Sequence, residues 1–166
     1  MKGVSLISTT SRHFRKGKRT DGKRPLAAVT LAMQVSRKRT QELVGMLARD
    51  DEEHSVPSEL HATFREIADA FAVGDYCLRD HAIRCVCEVS PSTANAIAES
   101  VSAYGDRLAP LHRSTWGYAV YRWMGDYWQM LVDLTTEGEE VSDLTLHAKL
   151  HDTEPPTLEI ASVHVA

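Results

Sequence analysis

Apolar residues recur on a helical period between Pro57 and Val73. Leu60, Phe64, Ile67, Ala68 and Phe71 stand at i, i+4, i+7, i+8 and i+11, one stripe along a 3.6-residue helix. Pro57 suits the first turn, where its missing N–H removes no bond, and Gly74 suits the stop. A second helix carries its own punctuation: Ser90 to cap it, Pro91 at the first position, the stripe Ala94, Ile97, Ala98, Val101 and Tyr104, and Gly105 at the exit. Upstream, Leu43, Val44, Met46 and Leu47 place a short helix within 36–49, weakened by Gly45. Between the two main helices, Ile83, Cys85, Cys87 and Val89 alternate with Arg84, Val86 and Glu88, as in a short strand, although the polar lead-in also fits a loop.

From Thr115 the period changes from 3.6 to two. Met124-Gly125-Asp126 and the glutamate-flanked Gly138 supply turns between strand-like runs. Trp128, Met130, Val132 and Leu134 share one face of the second run, and Tyr127, Gln129, Leu131 and Asp133 share the other. In the third, Leu144, Leu146, Ala148 and Leu150 face in, while Asp143, Thr145, His147, Lys149 and His151 face out. Pro155-Pro156 interrupts, and a last strand spans 157–165, where the apolar parity shifts between Ile160 and Val163 as at a bulge. Helices followed by strands predict an α+β fold, with two to three helices packed on one face of a four-stranded, mainly antiparallel β-meander. The expected organisation is a basic, disordered arm over 1–35, a short helix and acidic linker over 36–56, and an α+β domain over 57–166.

Charge sharpens that division. Residues 1–49 hold five lysines and seven arginines against Asp21 and Glu42, a net of +10, and residues 50–166 hold seven basic and 21 acidic residues, a net of −14. The arm has almost nothing to bury, so its ordering entropy would go uncompensated. Arg15, Lys16, Lys18, Arg19, Lys23 and Arg24 are its candidate phosphate contacts for nucleic acid. Two other readings stay open: a solvated tail resting on the acidic body, or an extension upstream of a true start at Met33 or Met46. No apolar run approaches the roughly 18 residues of a membrane span, and residues 26–33 lack a secretory cleavage pattern. Cys77, Cys85 and Cys87 form no C-x-x-C pair and read as buried, reduced thiols, which favours the cytoplasm.

Few residues suggest chemistry. His147 and His151 share a strand face but lie about 13 Å apart at the usual rise, too far to chelate one ion, unless His164 reaches one of them from the next strand. Asp133 and Asp143 could form a cross-strand acid–base pair, as in a hydrolase. Ser114 and Ser142 lack a nucleophile-elbow context, and no glycine-rich phosphate loop occurs. No catalytic residue, metal ligand or cofactor is therefore assigned. A recognition surface is expected instead: Tyr121 and Trp123 on the first strand, with Tyr127, Gln129 and Asp133 on the second, rimmed by Glu137 and Asp143. Aromatic rings with polar tips favour interfaces, and carboxylates steer basic partners.

Trp116, the run Trp123-Met-Gly-Asp-Tyr-Trp-Gln-Met-Leu-Val-Asp-Leu-Thr-Thr-Glu, Ser142-Asp-Leu-Thr-Leu, Phe64-Arg-Glu-Ile-Ala-Asp-Ala-Phe and Tyr104-Gly105 together resemble a family of small uncharacterised bacterial domains, over roughly residues 57–165. In size, acidity and solitary architecture the chain also resembles the immunity proteins of bacterial toxin systems. That resemblance implies tight, stoichiometric inhibition of a cognate toxin, often a basic nuclease, and brings no catalytic residues with it. The expected function is an acidic, non-enzymatic protein-binding domain acting as a monomer or homodimer. The alternatives are nucleic-acid association through the arm, or acid–base hydrolysis at Asp133 and Asp143.

Overall fold

The computed structural model describes residues 41–81 and 83–165. The basic arm, with Arg15, Lys16, Lys18, Arg19, Lys23 and Arg24, lies outside the described residues, as does the start of the short helix expected from Ser36.

Residues 41–46 are helical (α1). They bury Leu43 and Val44, and Leu47 follows them into the core, but Met46 is 82% exposed and does not belong to the expected apolar side. Helix α2 spans Ser58–Ala72 and α3 spans Pro91–Tyr104. In α2 the whole predicted stripe is buried, and Pro57 sits one position earlier than expected, as the cap residue. In α3 the Ser90 hydroxyl accepts the Thr93 N–H at 3.1 Å, Pro91 opens the helix, and Gly105 closes it at φ +86°. A side chain at that backbone angle would be strained.

Among the described residues, seven short strands follow or flank the helices: β1 (His54–Ser55), β2 (Leu108–Ala109), β3 (Val120–Trp123), β4 (Tyr127–Asp133), β5 (Thr135–Thr136), β6 (Leu144–His151) and β7 (Thr157–Val165). Five form one antiparallel sheet in the order β1-β3-β4-β6-β7, and β2 pairs with β5 in a second, two-stranded sheet. The expected meander of four strands is the main sheet without its edge strand β1. That strand falls in the stretch 36–56, expected to be only helix and linker. The acidic run there is a turn, with Asp50 accepting the Glu52 N–H and bonding His54 at 2.7 Å. The chain leaves the main sheet at Leu134, whose carbonyl accepts both the N–H and the hydroxyl of Ser142, at 2.9 and 2.7 Å.

The inner face of the sheet carries the predicted alternation. Trp128, Met130, Val132, Leu144, Leu146, Ala148 and Leu150 are all buried, in one cluster with Leu60, Phe64, Ile67, Ala94, Ile97 and Val101 from the helices. Helix α3 lies against β7 and α2 against β2. Along β7, Ile160 pairs with Ala148 and Ser162 with His147, leaving Ala161 as the extra residue of a bulge at the predicted place.

The segment 76–89 is a loop. Leu78 and Cys85 take positive φ values of 56° and 61°, which break a strand's alternation. What survives is one parallel bridge, Val86 to Leu158, held by Leu158 N–H to the Cys85 carbonyl at 2.6 Å and Cys87 N–H to the Leu158 carbonyl at 2.8 Å. The three cysteines are free thiols, but Cys77 and Cys85 are only half-buried and Cys87 is exposed.

Residues 47–49 are bound to the inner sheet face. The Ala48 N–H donates to the Tyr121 hydroxyl at 3.2 Å, and Trp128 Nε1–H donates to the Ala48 carbonyl at 2.8 Å. The Arg49 guanidinium lies 4.8 Å from the Trp123 ring centre and 4.9 Å from that of Trp128, and bonds Asp152 at 2.5 Å. Trp128→Phe keeps much of the packing but leaves the Ala48 carbonyl without its donor. It should lower unfolding stability by about 1–3 kcal/mol in a urea titration, whereas Tyr118→Ser, at a 65% exposed position, should change it by less than about 0.5 kcal/mol.

Candidate functional site

Cross-strand partners project from the same face of a sheet, so register decides which predicted site residues meet. Tyr121 pairs with Met130 and Trp123 with Trp128. Tyr121 and Trp123 therefore face inward, Tyr121 buried and Trp123 half-buried against the Trp128 ring, with 4.6 Å between ring centres. The expected grouping of these two with Tyr127, Gln129 and Asp133 is corrected by the β3–β4 connection, which pairs odd positions of β3 with even positions of β4.

Tyr127, Gln129 and Asp133 are on the outer face, half-buried, but their direct cross-strand partners are His151, Arg122, Lys149 and Thr145. Register aligns Arg122, Gln129, Lys149 and Glu159 in one row across four strands. Lys149 lies over the Tyr127 ring at 5.3 Å and 3.8 Å from Glu159, which His151 also contacts at 3.2 Å. Asp133 accepts the Thr145 hydroxyl at 2.7 Å. The His147 and His164 rings stack with 4.2 Å between centres, so the bulged last strand does bring His164 to His147. No group of three or more His, Cys, Asp or Glu among the described residues is placed to hold a metal ion. The outer face is thus mixed in charge, rather than an aromatic patch rimmed by acids.

Glu137 and Asp143 lie elsewhere, in the turn between β5 and β6 with Glu139 and Glu140. Asp143 precedes β6, while Asp133 is engaged by Thr145, and no hydrogen bond joins these two acids. The turn is held in a frame of hydrogen bonds. Asp106 accepts the N–H groups of Arg107 and Gly138 at 2.8 and 2.9 Å. Hydrogen bonding from Thr136, and then from these two amides, holds its carboxyl below the usual range. A Cβ at Gly138 would come within 2.9 Å of the Asp106 carboxylate, so a larger residue there would push that side chain aside. The Glu139 N–H donates to the Thr136 hydroxyl, and the Thr135 hydroxyl donates to the Glu140 carbonyl. Tyr104, at the end of α3, donates to the Glu139 carboxylate and accepts the Asp143 N–H. That bond to Glu139 raises the phenol above its ordinary pKa.

Beside this turn the C-terminal ends of α2 and α3 line a cleft of about 630 Å³, floored by Phe71, Val101 and Leu108 and edged by Asp106, Arg107 and Glu137. Sequence reasoning missed the cleft, because its walls come from three separated segments.

Two clusters resemble catalytic constellations. Ser114 Oγ, Glu140 Oε2 and the Ser114 N–H approach His112 at 3.0, 3.1 and 3.3 Å, but all three meet the same nitrogen, Nδ1. A Ser–His–acid relay needs the hydroxyl and the carboxylate on opposite nitrogens, so this cluster caps the 3-10 turn Arg113–Gly117 instead. Asp75 bonds His81 Nδ1 at 2.9 Å, which keeps its carboxyl below the usual range, and it also accepts the Arg79 and Asp80 N–H groups. Cys87 and His81 line the same hollow of about 330 Å³, yet no hydrogen bond joins the thiol to the imidazole. This arrangement organises a loop.

Residues 68–166 match the domain of unknown function DUF7668. The chain belongs to the DUF7668 family. No curated protein matches it significantly, and no solved structure does. The DUF7668 match takes in α3, strands β2 to β7, the acidic turn and both hollows. It begins inside α2 and leaves out residues 41–67, including β1 and the segment over Trp128. No helix among the described residues is long and apolar enough to cross a membrane.

In this DUF7668 chain His147 is depressed below the ordinary histidine pKa near 6.5 by burial first and by His164 second, against an opposing pull from Asp133. The folded state therefore binds fewer protons than the unfolded one. Stability from this group is present above about pH 6.5 and is lost as pH falls through the lower folded value. Urea midpoints measured from pH 7.5 down to 5 should fall less steeply for His147→Gln than for the parent chain.

Proposed function

We propose that this DUF7668 protein is a non-enzymatic binding domain for a basic protein partner. In keeping with its resemblance to immunity proteins, the partner is a bacterial toxin neutralised by direct, stoichiometric binding. The observation that carries this reading is the frame-held group Glu137, Glu139, Glu140 and Asp143, with Asp106 beside it. Carboxylates on a turn whose backbone is already held attract a basic surface before contact, and that backbone loses little conformational entropy on docking. The partner surface thus moves from the sheet residues Tyr127, Gln129 and Asp133 to the turn, where Glu137 and Asp143 from the expected set remain.

The test is co-purification of the tagged full-length protein with the product of the neighbouring reading frame, followed by titration of the purified pair at 50 and 300 mM salt. A one-to-one complex that weakens with salt is expected. Glu137→Lys with Asp143→Lys should weaken it by about tenfold or more, because neither side chain takes part in the turn's own hydrogen bonds. A complex indifferent to both salt and charge reversal would contradict the reading.

A second reading rests on the net +10 of residues 1–49. If the arm binds nucleic acid, replacing Arg15, Lys16, Lys18, Arg19, Lys23 and Arg24 with glutamine should flatten the salt dependence of duplex DNA or RNA binding by roughly one log–log unit per lost phosphate contact. An unchanged slope would remove it.

A further inference from the structure

We propose that the cleft between the ends of α2 and α3 receives a basic segment of the partner protein, with one apolar or aromatic side chain seated on Phe71, Val101 and Leu108. This rests on the reading that the partner is a basic protein, and it adds where and how the contact is made.

Both helices turn their C-terminal ends toward this cleft. Ala72, Val73 and Gly74 line it from α2, and Ser102 and Gly105 from α3. A helix C-terminus carries partial negative charge from its unpaired carbonyls, usually offset by a lysine or arginine in the last turn. Neither α2 nor α3 has a basic residue there. Among the described residues, Asp106 and Glu137 add two carboxylates at the edge against one base, Arg107. The edge therefore favours cations and repels phosphate backbones and anionic lipid surfaces.

The floor favours something else. Phe71 and Val101 belong to the core yet also line the cleft, and Val73 at its edge is 73% exposed. An apolar floor under a negative edge fits lysine- or arginine-rich chain carrying a single large apolar anchor. The volume, about 630 Å³, accommodates such a side chain with part of its backbone.

The test uses the full-length protein and two fluorescein-labelled lysine–glycine dodecapeptides of equal charge, one with a central leucine–phenylalanine pair and the other with two serines. The anchored peptide should bind at least about tenfold tighter, since it alone buries large apolar side chains. Ser102→Arg, at an exposed position on the cleft edge, should abolish that preference. Equal affinities, or a preference that survives Ser102→Arg, would overturn the cleft assignment. If both peptides then still bind in a salt-sensitive way that Glu137→Lys/Asp143→Lys weakens, the acidic-turn reading stands alone; if neither binds, both fall. Anchored-peptide binding that emerges only after Arg15, Lys16, Lys18, Arg19, Lys23 and Arg24 are changed to glutamine would make the chain's own arm the occupant, and overturn the partner assignment.

Discussion

The Trp128 indole is the constraint around which the rest of the fold is arranged. Its ring is fully buried on the inner sheet face, and its single N–H needs an acceptor in a place water does not reach. The Ala48 carbonyl meets that need. Satisfying one donor therefore draws a whole segment across the sheet: Val44 and Leu47 enter the core, Tyr121 caps the Ala48 amide, and Arg49 covers the two tryptophans. Strand β1 then follows as the natural continuation of a chain already fixed at the β3 edge.

Most of the architecture could be read from the sequence because it rests on local periodicity. The stripes of α2 and α3, the caps at Ser90 and Gly105, the two faces of β4 and β6 and the bulge in β7 all follow from residues within one element. What failed depended on how elements meet. The side taken by Tyr121 and Trp123 is set by the length of one turn, which parity within a strand does not reveal. The single bridge at Val86 depends on the backbone of Cys85 turning to positive φ, where side-chain alternation gives no guide. Strand β1 has two residues, too few for any pattern.

The candidate site was legible to a similar degree. Glu137 and Asp143 were visible as acids near a glycine, and they do lie together on a rigid turn. The hydrogen bonds that stiffen this turn come from Asp106 and Tyr104, more than 30 positions earlier in the chain. The cleft beside it is lined from three segments far apart in the chain, represented by Phe71, Val101 and Glu137. Neither relation leaves a mark in the local sequence.

The family match opens at residue 68, part-way along α2. The shared unit therefore carries only the last five residues of that helix, Ala68 to Ala72, fewer than a free helix needs to persist in water. In this chain residues 68–166 form an open tray: β2 to β7, α3 and the acidic turn, without the edge strand β1 and with one long side missing. Here the closure is made by α1, β1 and the first ten residues of α2, so the N-terminal extension functions as a lid to the hydrophobic core before it does anything else.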